Sequence, residues 1–413
     1  MSCLATAAAA QPPLTWTAVR DRFRAANPAV QAARIGVDES KASEVTAYLR
    51  PNPQWSVTLD QVGNTEGGGV FSASNLLTSV NYLHEREGKR ELRRDSARGV
   101  TAITESGQLD LERNMLFTLR GAFVQLLQAK AFRALADENL ASYDRMLALS
   151  RDRLRAGDIA QLDLDRLELQ RVTYESDVQT ADVNLRTAKI QLLRLLNDQS
   201  TSPDLFDVAE PYDFVPPARS LEECRRTALD SRPDLRAAIQ AVDKARIDHR
   251  LAVANGSADP TFSVDAAFPS ISQAFLSYQP PLRQYVGAGI EVPLRVFDKN
   301  QGEKTRTELD IGRNEKLASA ARQQVFGDVD TAYAAVVSAV TLLQPYKDRY
   351  LAQATRVRDT VQFSYQRGGA SLMEFLQSQQ EYRSLQVGYV NLVAAYLNAV
   401  NQLNLAVGQE VLP

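Results

Sequence analysis

The residue types that usually carry chemistry are scarce in this chain of 413 residues. It has two cysteines, Cys3 and Cys224, and two histidines, His84 and His249. Two cysteines are too few for a Cys-based zinc site, the two histidines are too isolated for a metal relay, and a catalytic triad needs a nucleophile beside a histidine. No Gly-rich phosphate loop or nucleophile motif is present in the sequence. The sequence therefore predicts no enzyme, no metal site and no cofactor, and it predicts that Cys224 is a small buried apolar residue.

One pattern of charged residues does occur twice. A glycine is followed six positions later by an acid, at Gly157 with Asp163 and at Gly368 with Glu374. Glycine permits the reversal between two antiparallel helices, and an acid in the first turn of the next helix is favoured by the helix dipole. The two acids could therefore act through their negative charge. The alternative for both is a purely local role in stabilising the start of a helix.

The predicted elements that would position these acids also occur twice, as an internal repeat of the sequence. Helical stretches begin at Asn27-Pro28 and at Arg232-Pro233, and each leads to a Pro-aromatic-Ser-Val strand start. In each half, the residue pattern predicts a helix, two strands, a very long helix, a glycine turn and a return helix. The predicted segments are an N-terminal segment (1–13), a first repeat (14–198), a proline-bearing linker (199–220), a second repeat (221–408) and a tail (409–413).

Four strands are predicted from strict alternation of apolar and polar residues. They cover about residues 53–62, 71–84, 260–269 and 285–296. Four such strands are too few to close a barrel, whereas three copies would supply twelve and remove every free edge. The alternative is two hairpins packed on a soluble core. In the barrel interpretation the lipid-facing residues are Trp55, Val57, Leu59, Phe262, Val264, Ile290 and Val292.

The long helices are predicted over Gly88–Arg155 and Gly302–Arg367, with a kink or break at Pro345. Either could reach about 100 Å at 1.5 Å per residue, so each needs a coiled-coil partner. The return helices, Gln161–Leu196 and Ser371–Val407, are the predicted partners. No stretch approaches the 18 apolar residues of a membrane-spanning helix.

Three interpretations of the N-terminus stay open. Its small-residue run up to Ala10 is typical of the end of a signal peptide, Cys3 could be the lipidated first residue of a lipoprotein, and a disordered start is the third. The formal net charge of −3 gives no basic excess for binding nucleic acid.

The repeats and their tips resemble the TolC family of outer-membrane factors. The most specific matches are the segments Gly157-Asp158-Ile159-Ala160-Gln161-Leu162-Asp163-Leu164 and Gly368-Gly369-Ala370-Ser371-Leu372-Met373-Glu374-Phe375, and the resemblance spans about residues 14–410. It implies a mainly helical fold with a small β part. It further implies a homotrimer with a twelve-stranded barrel in the outer membrane above an α-helical tunnel in the periplasm. The Glu85–Arg90 segment looks more like the heavy-metal efflux subgroup (cobalt-zinc-cadmium and copper-silver) than the drug-pump one.

The resemblance also implies roles for the tips. The family's two gate acids map to Glu374 and to Gln377, which is uncharged, and Asp163 holds the equivalent place in the first repeat. Gly157, Asp158, Gly368 and Gly369 would form the tip turns and the docking surface for a periplasmic adaptor. The other implied partners are an inner-membrane RND-type pump and outer-membrane lipid. Drug efflux, type I protein secretion and, from another class, a soluble coiled-coil scaffold remain alternatives.

Overall fold

The computed structural model describes residues 12–63, 73–216, 219–269 and 284–412. This part of the chain is mainly helical and contains one four-stranded sheet, as predicted. It divides into two compact units. Unit 1 holds the described residues up to Ile35 together with Gly107–Leu235 and 321–412, and unit 2 holds Gly36–Ser106 and Arg236–Ala320. Each unit therefore takes residues from both sequence repeats.

The two repeats have the same order of elements. Each begins with a short helix and a longer one, continues with two strands, and ends with a long helix and its return helix. In the first repeat these are α1 (Trp16–Ala26), α2 (Pro28–Tyr48), β1 (Gln54–Gly63), β2 (Ala73–Leu83), α3 (Lys89–Ala156) and α4 (Gln161–Leu195). In the second they are α5 (Leu221–Ser231), α6 (Pro233–Asn255), β3 (Thr261–Pro269), β4 (Tyr285–Glu291), α7 (Gln301–Pro345), α8 (Leu351–Gln366) and α9 (Leu372–Val407).

The second long helix is interrupted where the sequence predicted it. Five residues of π-helix, Tyr346–Tyr350, separate α7 from α8 directly after Pro345. Proline has no backbone N–H to donate and its ring crowds the preceding turn, so the regular hydrogen-bond ladder cannot pass through it. By length and composition alone, Gln301–Gln366 also contains an 18-residue window apolar enough to cross a membrane, with a mean hydropathy of 1.3. The prediction that no stretch approaches this level was wrong, because the helix's apolar stripe raises the average.

The residues before Pro28 and Pro233 have different side chains, but each of these side chains hydrogen-bonds to a carbonyl group near the end of a return helix. Asn27 and Arg232 have extended backbones, as proline requires of the residue before it. The Asn27 amide donates to the carbonyl oxygen of Leu195 at 3.4 Å, and the Arg232 guanidinium donates to that of Ala406 at 3.2 Å. Both side chains are buried in unit 1 and fasten a helix start to the end of a return helix.

Unit 1 contains three apolar cores. One belongs to the first repeat and includes Phe23, Phe123 and Leu192, and a second belongs to the second repeat and includes Val329 and Val400. The third lies at the glycine turns and combines both repeats. Its buried members are Tyr143, Met146, Leu147, Leu164, Leu167, Tyr174, Tyr365, Leu372 and Phe375.

The predicted linker is packed rather than loose. Phe206, Val208 and Phe214 are buried in the two repeat cores. Leu14 donates its backbone N–H to the carbonyl of Asp207 at 2.9 Å and pairs with Val208 in an isolated parallel bridge. The linker thus contributes apolar side chains to unit 1.

The sheet lies in unit 2 and has the order β1-β2-β3-β4, with every neighbouring pair antiparallel. β4 ends at Glu291, five residues before the predicted end at 296. The reason is Pro293, which cannot donate a ladder hydrogen bond. Val292 is therefore the first residue after the strand, and its place on the lipid face stays a prediction. The loops between the strands of each pair lie outside the described residues.

Candidate functional site

Both tip turns end their long helix with the same hydrogen bonds. Gly157 and Gly368 have φ values of +82° and +78°, a left-handed conformation that glycine adopts without steric cost. The N–H of Asp158 donates to the carbonyl of Arg153 at 2.9 Å, and the N–H of Gly369 donates to that of Ser364 at 2.8 Å. These are the bonds of a Schellman motif. The sequence assigned both glycine turns to the right residues.

The return helix of the second repeat, α9, begins with a capping box. The Ser371 hydroxyl accepts a hydrogen bond from the Glu374 N–H at 3.2 Å, and the Glu374 carboxylate accepts one from the Ser371 N–H at 2.7 Å. The backbone N–H and hydroxyl of Ser371 lower the pKa of Glu374. The local alternative considered for this acid thus has direct structural support, and Glu374 remains exposed at the surface.

The first repeat lacks this box. The residue before α4 is Ala160, whose side chain can accept nothing, so Asp163 has no reciprocal partner there. Asp163 is half-buried and its charge acts on Tyr365 of the second repeat. Burial raises the pKa of Tyr365, Arg153 opposes that rise, and Asp163 adds to it. Asp163 and Glu374 therefore have different surroundings despite their equivalent positions in sequence.

An acid that the sequence analysis missed lies one turn beyond Gln377. Glu374, Gln377 and Glu381 are exposed and follow the three-four spacing of one helix face. The amide of Gln377 donates to the carboxylate of Glu381 at 2.9 Å. The exposed face of α9 therefore carries two carboxylates with an uncharged residue between them. The spacing from Glu374 was the signal that could have found Glu381.

A contact between the repeats at the tips was also missed. The guanidinium of Arg153, near the end of α3, donates to the carbonyl of Tyr365 at 3.1 Å and lies 5.3 Å from the centre of its ring. The ring of Tyr365 stacks on Phe375 with centroids 5.0 Å apart. This chain of contacts connects α3 to α8 and α9. Nothing in the local sequence around Arg153 indicates it.

The sheet has one apolar face that is exposed in the single chain. Trp55, Val57 and Leu59 on β1 lie on the same face as Phe262 and Val264 on β3, because directly paired residues share a face. Ile290 on β4 pairs with Phe262 and joins them. Trp55 is 73% exposed and Ile290 is 68% exposed. All the predicted lipid-face residues except Val292 therefore lie together on one exposed face of the sheet.

The opposite face of the sheet is mainly small and polar. Ser56 and Ser79 share a hydrogen bond of 2.7 Å across β1 and β2, and Ser263 donates to Asp265 at 3.3 Å on β3. Gly287, opposite Asp265, adds no side chain. Such a face is compatible with water. The two faces of the sheet therefore differ as the walls of a water-filled membrane channel do.

The two outer edges of the sheet are free in the described part of the chain. β1 pairs only with β2, and β4 pairs only with β3. A free edge presents a row of unsatisfied N–H and C=O groups, which favours pairing with another strand. Gln54 at the start of β1 and Glu291 at the end of β4 lie at the same end of the sheet.

Of the remaining candidate residues, the structure describes Cys224, His84 and His249. Cys3 lies outside the described residues, and Cys224 is buried in the core of the second repeat, where burial raises the pKa of its thiol. The ring of His84 lies edge-on to Phe262, and Nδ1 of His249 is 3.0 Å from the Thr307 hydroxyl. Within the described ranges, no three of His, Cys, Asp and Glu come together in a way that could hold a metal ion.

The fold is similar to that of solved outer-membrane channels. The solved structure of CusC, whose description refers to transmembrane channel formation, is similar with a TM-score of 0.76 and 19% sequence identity, over 95% of this chain and 92% of that one. The family model of outer membrane efflux proteins matches residues 225–409, which lie in the second repeat. This confirms the predicted resemblance to the outer-membrane factors and agrees with the predicted outer-membrane location.

Two curated relatives are similar over nearly the whole chain. The outer membrane efflux protein BepC of Brucella suis is 22% identical over 93% of this chain and 85% of its own length. The cobalt-zinc-cadmium resistance protein CzcC of Cupriavidus metallidurans is 20% identical over 96% of this chain and 90% of its own length. The similarity thus includes the first repeat, which the family model does not match.

Proposed function

We propose that three copies of this chain form a passive channel in the outer membrane that conducts substrate from the periplasm to the exterior. One observation carries the proposal: a four-stranded sheet with an exposed apolar face, a polar face and two free edges. Three such sheets joined edge to edge supply twelve strands, enough for a closed barrel with an aqueous interior. In that barrel Trp55 and its neighbours face lipid, and Ser56 and Ser79 face water.

The periplasmic gate of the channel lies at the tips of unit 1. We assign the closure to Glu374, Gln377 and Glu381 on α9, with Asp163 adding to the field. In a threefold assembly the two carboxylates form two negative rings about 10 Å apart along the helix. The Arg153 contact with Tyr365 supports the closed arrangement, because it attaches the first repeat's tip to the second's.

The channel works with two further proteins of an efflux pump. A periplasmic adaptor docks on the tip turns at Gly157, Asp158, Gly368 and Gly369, and an inner-membrane RND-type pump supplies the substrate. Heavy-metal cations are the substrate class we favour, since CzcC is named for cobalt, zinc and cadmium resistance. Acid rings at the gate suit cations. Drugs and secreted proteins are the alternatives.

The test is ion conductance of the purified protein in planar lipid bilayers. A channel gives stepwise current, and Arg153→Ala raises the fraction of time spent open. Arg155→Ala is the matched control, because Arg155 pairs with Asp152 of its own helix in the described part of the chain. A protein that gives no current with either variant, and that stays in solution without detergent, would favour the scaffold alternative.

A further inference from the structure

The connection between β4 and α7 is the most exposed apolar stretch of unit 2. We define the β4–α7 segment as residues 292–300, between the two elements. Leu294 is 84% exposed, Val296 is 64% exposed and Phe297 is 93% exposed. Arg295 lies between Leu294 and Val296, and Asp298 and Lys299 follow Phe297; these three charged residues are also exposed. Among the residues that the structure describes, neither basic side chain forms an ion pair.

The segment is held at both ends, so its exposed side chains are presented by a fixed frame. At its start, Glu291 pairs with Thr261 in the sheet. At its end, the side-chain amide of Asn300 donates to the carbonyl of Ala252 at 2.8 Å, and the backbone N–H of Asn300 donates to Asp298 at 2.8 Å. A loose loop could turn its apolar groups inward, whereas this frame keeps them outside.

The first repeat provides an internal comparison. The equivalent connection between β2 and α3 is residues 84–88, which are all polar or glycine. Glu85 accepts a hydrogen bond from Arg93 at 2.9 Å, and the N–H of Arg86 donates to Asp259 at 2.9 Å. Five polar or glycine residues are therefore enough to join strand to helix in the first repeat. The β4–α7 segment is longer and apolar, so its exposed apolar residues are not required by the connection alone.

We infer that the β4–α7 segment is a phospholipid anchor, which inserts Leu294 and Phe297 at the boundary of headgroups and acyl chains and places Arg295 and Lys299 on lipid phosphates. In sequence, Val292 and Leu294 continue the two-residue spacing of Ile290, which lies on the apolar face of the sheet. Apolar residues interleaved with basic ones are typical of segments that lie in a membrane interface. The inference rests on the proposed function, which puts the helix-joined end of the sheet at the inner leaflet.

A second copy of the chain is a less suitable occupant. Pro293 cannot donate a hydrogen bond, so pairing of β4 with a partner strand stops before the segment. Two basic residues among the apolar ones also suit a phosphate layer better than a protein core. The two occupants give different results in the experiment that follows.

The test uses single tryptophan reporters in phosphatidylcholine–phosphatidylglycerol vesicles, with or without brominated acyl chains. The chain has two tryptophans, Trp16 and Trp55, so Trp16→Phe is included throughout. One protein keeps Trp55, a second combines Trp55→Phe with Phe297→Trp, and a third combines Trp55→Phe with Phe363→Trp. Phe363 is an exposed residue of α8 and serves as the control outside the membrane. Leu294→Trp replaces Phe297→Trp if that variant does not fold.

We expect brominated lipid to remove about half of the emission of Trp55 and of the tryptophan at 297, since both lie within roughly 10 Å of the interface. The control at 363 should lose none. Quenching at 55 without quenching at 297 would overturn the anchor, and a disulfide between copies in Phe297→Cys would then identify a second copy as the occupant. If brominated lipid does not quench the emission of Trp55, the result contradicts the proposed channel itself.

Discussion

The carboxylate of Glu374 accepts hydrogen bonds from the backbone N–H of Ser371 at 2.7 Å and from its hydroxyl at 2.9 Å. This capping box begins α9, whereas Ala160 leaves the equivalent start of α4 uncapped. The proposed gate acid is therefore also a structural residue. A variant at Glu374 alone cannot separate the two roles, and the first prediction uses Ser371 for that purpose.

Ser371→Ala should weaken the first turn of α9 by about 1 kcal/mol, because the Glu374 N–H loses its acceptor. If capping alone matters for closure, Ser371→Ala and Glu374→Gln raise channel opening equally. We expect instead that only Glu374→Gln also lowers the preference for cations, because it alone removes a charge. Reversal potentials in a salt gradient measure this preference. Ala160→Ser, which supplies the missing cap in the first repeat, is the control and should leave selectivity unchanged. Equal reversal potentials for all variants would contradict the charge role of Glu374.

Arg153→Ala should destabilise the closed tip by about 1–2 kcal/mol, through loss of its hydrogen bond and its contact with the Tyr365 ring. An effect of this size corresponds to a roughly tenfold rise in the open population. Single-channel recording measures it, and Arg155→Ala should behave as the wild type. The assignment of Arg153 to the closed tip fails if both variants open the channel to the same extent.

Gln54→Cys combined with Glu291→Cys should form a disulfide between copies, in a background with Cys3→Ser. Within one chain the two residues lie on opposite edges of the sheet, three strand spacings or about 14 Å apart. A disulfide needs Cα atoms within about 7 Å, so it cannot form within the chain. Oxidised membranes should therefore show covalent dimers and trimers in denaturing gels. Each single-cysteine variant is a control and should stay monomeric, and a double variant that also stays monomeric contradicts edge-to-edge closure.

Asp198 should make the stability of the first repeat depend on pH. Hydrogen bonds from the Thr201 and Ser200 hydroxyls lower the pKa of its carboxyl group, and it pairs with Arg22. A lowered folded-state pKa means that the stabilisation is present above the ordinary value and is lost as pH falls below about 4.

Asp198→Asn should therefore cost about 1–3 kcal/mol at neutral pH, and the difference from wild type should shrink in acid. Thermal unfolding at several pH values measures this dependence. Asp204→Asn is the control, since Asp204 is exposed and its nearest cation, on Arg186, is 3.8 Å away. A constant difference across the pH range would contradict a role for the Asp198 charge.

Much of this fold could be predicted because its signals are local. Alternation identified all four strands, and glycine identified both tip turns. The predicted end of β4 was wrong since alternation continues past Pro293, where the hydrogen-bond ladder cannot. The sequence pattern Ser371-x-x-Glu374 is that of a capping box, but the prediction for Glu374 considered only the effect of its charge. The Arg153 contact with Tyr365 joins residues more than two hundred positions apart, so no local pattern indicates it.

The most direct test of the proposed channel is the mass of the unheated protein extracted from the outer-membrane fraction in mild detergent. The protein should be expressed with an export signal, and the fractions compared with and without detergent. Three chains joined edge to edge predict a detergent-dependent species near three times 45.6 kDa that separates into single chains on heating. A monomer or dimer that stays in the soluble fraction without detergent would contradict the trimeric outer-membrane channel.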